Sequence, residues 1–228
     1  MDEFPLTAER HARTQAYIRS LFAVESPQQA AIMPAAIAAG LRPIEVGPET
    51  GRFLAVLLRS LGRQGTGATL AIEIGTLAGY SATWLAQGLA PGGMLHSIEL
   101  ELAHITIAQA NLARCNVADR VTIHQGKGSE VLPRLLTQFG PAAADLILFD
   151  AERSEYPALV HTAHTLLRPG GILAIDNTIS AKRFIPDPYA PGEPADPMDT
   201  LNRAMAVDPR FISTLVPIGN GLLLCTRL

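Results

Sequence analysis

Residues Thr69 to Ser81 read TLAIEIGTLAGYS, and the reading of this stretch decides the fold. Leu70-Ala71-Ile72 is a short apolar run bounded by polar and glycine residues, the pattern of a buried strand in a parallel sheet. Glu73 falls at the strand end, Gly75 and Gly79 follow, and Tyr80-Ser81-Ala82-Thr83-Trp84-Leu85 begins a helical pattern. Strand, glycine turn and helix make the phosphate- or nucleoside-binding corner of an open α/β sheet. The spacing is Glu-x-Gly-x-x-x-Gly rather than Gly-x-Gly-x-x-Gly, with the acid ahead of the glycines. A carboxylate just below the turn repels pyrophosphate and suits a cationic amino-acid or sulfonium group. That points to S-adenosylmethionine (SAM) before a nicotinamide dinucleotide. An ordinary tight strand-to-helix turn is the plainer alternative.

Downstream the pattern alternates. Met94 to Ile98, Val121 to His124, Asp145 to Asp150 and Ile172 to Asp176 read as strands. Helical patterns run from Glu101 to Arg114, Ser129 to Phe139 and Glu155 to Leu167, with Pro91-Gly92-Gly93 and Arg168-Pro169-Gly170-Gly171 as turns. Such alternation predicts a doubly wound, mostly parallel α/β sheet. Residues 180–199, rich in Pro, Gly and Asp, read as a mobile loop before a helix at about Met198 to Ala206. Two apolar runs close the chain, Phe211 to Pro217 and Gly221 to Thr226, with Asn220-Gly221 between them. Asn-Gly is a hairpin turn signal, so these two strands are expected to be antiparallel.

Upstream, residues 1–62 read as a helical cap over an α/β core at 69–228, all within a single domain of residues 1–228. Thr7 can cap a first helix whose Tyr17, Ile18, Leu21 and Phe22 form an apolar stripe. Ser26-Pro27 opens a second helix ending near Gly40, and a third runs from Glu49 to about Leu61, before a glycine-rich linker from Gly62 to Gly67. The 228 residues are 48% hydrophobic and 17% charged, which excludes a disordered chain and predicts a sizeable core. A net charge of −3 argues against a phosphate-tracking surface. Cys115 and Cys225 have no CxxC spacing and read as reduced residues. MDEFPLTAER lacks the basic-then-apolar pattern of a signal peptide, and no run is long enough to span a membrane. A cytoplasmic location is the expectation.

Ligands of an open α/β sheet bind beyond the C-terminal strand ends, which here carry Glu73, Glu99, Gly126, Asp150 and Asp176-Asn177. Glu99 can accept hydrogen bonds from both ribose hydroxyls, or can simply favour the next helix's dipole. Gly126-Lys127-Gly128-Ser129 lets a flat adenine approach the backbone, with Ser129 as a helix cap; capping alone is the alternative. Asp150, Asp176 and Asn177 are hard oxygen ligands suited to Mg²⁺ or Ca²⁺, and such a site lowers the pKa of a bound hydroxyl. Helix capping by strand-end Asp residues is the alternative. His161 and His164 share a helix face without a third ligand, and Tyr156 reads as helix packing. His96, His104 and His124 stand singly, His124 near the third strand end.

Taken together, VGPETGRFL, AIEIGTLAGYSA, the strand ending in Glu99, ILFDAERSEY, LLRPGGILAIDN, LNRAMAVDPR and PIGNGLLL resemble the small SAM- and divalent-metal-dependent O-methyltransferases of the catechol and caffeoyl-CoA type. The resemblance runs from about Val46 to the C-terminus. It implies a Rossmann-like class I methyltransferase fold, seven strands with the last antiparallel, and a homodimer. It also implies that Val46, Glu73, Gly75 and Ser81 hold the methionine part of SAM, and that Glu99 holds the ribose. Gly126, Gly128 and Ser129 would lie on the adenine side, with Asp150, Asp176 and Asn177 as Mg²⁺ ligands; Asp150 thus borders both cofactor and metal.

One departure matters. The family pattern Asp-Ala-Asp-Lys is here Asp150-Ala151-Glu152-Arg153. Arginine stays protonated, so Arg153 cannot replace a lysine base. It can stabilise an oxyanion or touch substrate, or serve only as a surface ion-pair residue. Lys127 is a lesser departure, expected to face solvent. The leading expectation is metal-assisted methyl transfer to a small molecule with vicinal oxygens: a catechol, phenylpropanoid, flavonoid, polyketide or sugar. The alternatives are a tRNA hydroxyuridine methyltransferase, which the acidic charge disfavours, and a non-catalytic SAM-binding protein.

Overall fold

The computed structural model describes residues 7–62, 66–179 and 197–228. Among these residues four helices precede the sheet: α1 (Ala8–Phe22), α2 (Pro27–Ala30), α3 (Ile32–Ala38) and α4 (Pro48–Ser60). Thr7 caps α1 through a 3.1 Å bond from the Arg10 N–H. Ser26 and Gln29 form a reciprocal capping box on α2, with Pro27 in the first turn. The single helix expected from Ser26 to Gly40 is two, joined through Ala31. Pro34 has no N–H to bond the Ala30 carbonyl, so it is accommodated only in the first turn of a new helix.

The apolar stripe of α1 does not pack on the core. Tyr17, Leu21 and Phe22 are 63%, 54% and 62% exposed. The helix is tied instead by the Arg19 guanidinium, which donates from Nε (2.9 Å) and Nη2 (3.1 Å) to the two oxygens of Glu49 in α4. By contrast α4 is pressed onto α5 (Tyr80–Gly88). A Cβ on Gly51 would lie 2.6 Å from Trp84 Cγ, so only glycine allows this approach.

The remaining elements alternate: β1 (Leu70–Ile74), α5, β2 (Met94–Glu99), α6 (Leu102–Arg114), β3 (Val121–Gln125), α7 (Gly128–Phe139), β4 (Ala144–Phe149), α8 (Tyr156–Leu166) and β5 (Leu167–Ile175). Then come α9 (Pro197–Ala206), β6 (Phe211–Val216) and β7 (Leu222–Arg227). They form a seven-stranded sheet in the order β3-β2-β1-β4-β5-β7-β6. Strands β1 to β5 pair in parallel, and β7 runs antiparallel to both β5 and β6. This is the doubly wound class I methyltransferase arrangement expected from the sequence.

Both faces of the sheet are buried, which explains its near-continuous apolar strands. Ile72, Ile74, Ile147 and Phe149 face Val131, Leu135, Tyr156 and Leu159 of α7 and α8. Ala71, Leu95, Leu146 and Leu148 pack with Leu54, Leu58, Leu85 and Leu112 of α4, α5 and α6.

Two boundaries differ from expectation. Arg168-Pro169-Gly170-Gly171 lies inside β5, where the register with β4 shifts between Ala144 and Leu146. Its anchor is Asp145, which accepts 2.6 Å from Arg168 Nε and 2.7 Å from the Thr69 N–H. The β6–β7 connection is not a two-residue turn, since Val216 pairs with Leu222 across a longer loop. The stretch read as a mobile loop lies outside the described residues up to 196, as do residues 63–65 of the linker. No described helix is long and apolar enough to cross a membrane.

Candidate active site

The order in which strands are added reverses between the parallel neighbours β1 and β4, and a crevice at such a switch point is where α/β sheets bind ligands. A cleft of about 730 Å³ opens there. Its walls are the turn from Gly75 to Ala78 with Tyr80 and Ser81, the loop from Arg42 to Val46, and the segment from Asp150 to Arg153. Glu99, His104, Tyr156, Asn177 and Asn220 complete it.

The turn after β1 is held by Glu99. Its Oε2 accepts from the N–H groups of Thr76 (3.2 Å) and Leu77 (2.8 Å). Its Oε1 accepts from the Glu101 N–H (3.0 Å) and contacts His104 Nδ1 (3.3 Å). Leu77 is thereby kept at φ +46°, a left-handed conformation disfavoured for a leucine. Backbone strain of this kind gathers at binding sites, where surrounding bonds over-determine it.

Glu73 lies behind the cleft wall rather than on it, with no exposed surface. Ser97 donates to its Oε2 at 2.6 Å, and Oε1 has no partner. Burial pushes its carboxyl up to about 7, against the pull of the Ser81 and Ser97 hydroxyls. A buried, half-satisfied acid beside a cleft is stabilised by a cation or a further donor.

The acids after β4 and β5 form the second such centre. Asp150 is raised well above the ordinary carboxyl range, by burial first and then by the charges of Asp176 and Glu73. Asp176, only 4% exposed, is also raised by burial. Asn177 bridges them, its Nδ2 donating to Asp150 Oδ1 (3.2 Å) and Asp176 Oδ2 (3.1 Å). Asp176 Oδ1 is buried without a partner. The amide nitrogen thus supplies the positive pole that two converging carboxylates call for, and a divalent cation fits the same donor set. Among the described residues no three His, Cys, Asp or Glu side chains cluster for a metal; this candidate is two acids and an amide.

Asp150 is fixed from both sides. Its N–H bonds the Ile74 carbonyl (2.9 Å), and Gly75 at φ +103° packs directly on its carbonyl group. On the other side the Tyr156 hydroxyl accepts from the Ala151 N–H (2.7 Å) and donates to the Ala151 carbonyl oxygen (3.0 Å). Its ring lies 5.2 Å from Phe149. Tyr156 is therefore more than helix packing, since it clamps the segment carrying Asp150 and Arg153. The Arg153 guanidinium is close enough to oppose the rise in both Asp150 and Asp176.

Of the residues singled out from sequence, Val46, Gly75, Ser81, Glu99, Asp150, Arg153 and Asn177 line one cleft. Asp176 stands directly behind Asn177. Gly126, Gly128 and Ser129 are not on its wall. Ser129 does not cap α7, whose N-cap is Lys127 without a side-chain bond; Lys127 itself is exposed. His124 lies away from the cleft and pairs with His96, its Nε2 2.8 Å from His96 Nδ1. His104, Tyr156 and Asn220 join the cleft without having been singled out, because neither spacing nor periodicity marks them.

Residues 23–228 match the O-methyltransferase family model. Two relatives named catechol O-methyltransferase come from Niastella koreensis and Mycobacterium tuberculosis. The first is 34% identical over 163 residues, 72% of this chain and 71% of that protein. The second is 35% identical over 164 residues, 72% and 70%. A solved O-methyltransferase from Streptomyces achromogenes, TomG, involved in tomaymycin synthesis and in complex with SAM, superposes with a TM-score of 0.82 at 28% identity, covering 98% of this chain and 99% of that one.

Proposed function

This chain belongs to the O-methyltransferase family, and we propose that it moves a methyl group from SAM to one hydroxyl of a small molecule carrying vicinal oxygens, at a divalent-metal site made by Asp150, Asp176 and Asn177. The observation that carries the reading is the buried acid pair bridged by Asn177 at the wall of the cleft that the β1 turn also lines. Relatives named for catechol, and a SAM-bound structural neighbour, support acceptor class and donor.

When bound, SAM supplies an electrophilic methyl on a sulfonium, and a divalent cation polarises two adjacent acceptor oxygens and acidifies one of them. The chain's own part is positioning and charge. Glu73 and Ser81 lie below the β1 turn, where the unpartnered Glu73 oxygen suits the cationic amino-acid end. Glu99 presents Oε1 to the ribose, the 3.3 Å His104 contact being the weakest of its bonds and the first to yield. Tyr156, through Ala151, holds Asp150 and Arg153 in register with the acceptor. Arg153 stabilises the developing oxyanion through its guanidinium, the hydroxyl proton passing to solvent water at the cleft mouth and S-adenosylhomocysteine leaving once the methyl has moved. Holding both reactants in one small cleft supplies much of the acceleration.

The test is Asp176→Asn. Loss of one ligand charge is expected to abolish most transfer, while SAM affinity measured by calorimetry stays within a few-fold. Transfer at the parent rate from this variant contradicts the metal reading.

A further inference from the structure

The β6–β7 loop is stitched to the segment following Asn177. Thr178 N–H donates to the Gly221 carbonyl (3.1 Å), the Thr178 hydroxyl donates to the same oxygen (2.9 Å), and Ile179 N–H donates to the Asn220 carbonyl (2.8 Å). These bonds bring the Asn220 side chain over the acid centre, where its Nδ2 donates to Asn177 Oδ1 at 3.0 Å. The sequence marks Asn220 only as a turn residue.

The Asn177 amide faces the two acids with its nitrogen and Asn220 with its oxygen. A cation between the carboxylates needs the oxygen turned inward, which leaves the Asn177 N–H₂ facing Asn220. An asparagine can serve either arrangement, because its own amide offers a donor or an acceptor after a half-turn. We propose that Asn220 is a positioning residue of the metal site, partnering the Asn177 amide in both orientations and turning with it. The proposal rests on the metal reading above. In the cation-loaded arrangement the Asn177 N–H₂ is polarised, so its bond to Asn220 is the stronger of the two, and outer partners of this kind typically contribute about 10- to 100-fold in metal affinity.

The experiment is calorimetric titration of the full chain with MnCl₂ in 0.5 M NaCl, where longer-range charge is screened. Asn220→Ala is expected to bind Mn²⁺ at least tenfold more weakly than the parent. Asn220→Asp, which only accepts, can pair with Asn177 in the cation-binding orientation alone, and is expected to bind at least as tightly as the parent. Both variants are expected to melt within a few degrees of it. Ala binding within twofold of the parent, or Asp losing as much as Ala, overturns the role of Asn220 while leaving the metal site standing. A parent chain that takes up no Mn²⁺ overturns both. Independently of any variant, Mg²⁺ is expected to shift the side-chain amide signals of Asn177 and Asn220 together in NMR spectra of the parent. Movement of Asn177 with Asn220 unmoved overturns the coupling.

Discussion

Replacing Gly75 by alanine strikes at the junction between the β1 turn and Asp150. At φ +103° an alanine is strained, at about 1–3 kcal/mol. Its Cβ would also lie 2.7 Å from the Asp150 carbonyl carbon and nearer still to the oxygen. Carbon atoms prefer about 3.5–4.0 Å, and forcing such an overlap in a packed site costs a further 1–3 kcal/mol or so. The total, about 2–6 kcal/mol, is a large part of the roughly 5–15 kcal/mol that holds a domain together. Gly92→Ala is the control, at φ +75° with nothing within 4 Å of the added carbon. It should bear only the conformational part, about 1–2 kcal/mol. Urea denaturation of both variants isolates the contact with Asp150, and Mn²⁺ titration reports whether that carboxylate has moved. Gly75→Ala is expected to be less stable than Gly92→Ala by more than 1 kcal/mol or so, with weakened Mn²⁺ binding. Equal stability of the two variants, with Mn²⁺ affinity unchanged, refutes the idea that Gly75 sets the position of Asp150.

Glu73 should make stability depend on pH. Its folded carboxyl titrates at about 7, against 4.5 ordinarily. In that window the unfolded chain has released a proton that the folded chain keeps, so Glu73's contribution to stability is full below the window and falls as pH rises through it, by about 3 kcal/mol, in the same direction as the raised Asp150 and Asp176. The ligand-free chain is thus expected to resist urea better at pH 5 than at pH 7.5, and Glu73→Gln to make that slope shallower while the part owed to Asp150 and Asp176 stays; a variant with the parent's slope contradicts this. Arg153→Met is expected to lower kcat by about 100-fold, the usual loss of one oxyanion donor, with SAM affinity unchanged in calorimetry. A kcat within threefold of the parent would leave Arg153 as a surface residue.

The centre of the sheet is legible because β1, β4 and the second half of β5 are buried on both faces and read as largely apolar runs, whereas β2 and the edge strand β3, which carry His96, Ser97, His124 and Gln125, are legible through the turns and helical patterns around them. The C-terminal pair is legible through Asn220-Gly221, although the turn is longer than that dipeptide suggests. Misread boundaries have local causes. Pro34 breaks the second helix without a glycine nearby, and Gly170-Gly171 looks like a stop but is carried inside β5 by the Asp145–Arg168 pair. The stripe on α1 is legible as helical periodicity, but periodicity cannot tell a helix packed on its own core from one whose apolar side stays exposed. Within the site, strand-end acids are visible because a charge closing an apolar run is conspicuous. Tyr156, His104 and Asn220 are invisible for the opposite reason. Each acts through one or two hydrogen bonds, Tyr156 to the Ala151 backbone, His104 to the Glu99 side chain and Asn220 to Asn177, and such bonds leave no periodic trace.

The most direct measurement is transfer of labelled methyl from SAM to a panel of vicinal diols and their monohydroxy analogues, with Mg²⁺ and with EDTA. Label is expected on the diols only, and only with Mg²⁺. Transfer that is unaffected by EDTA, or equally good on the monohydroxy compounds, contradicts an acceptor held by its two oxygens at Asp150, Asp176 and Asn177.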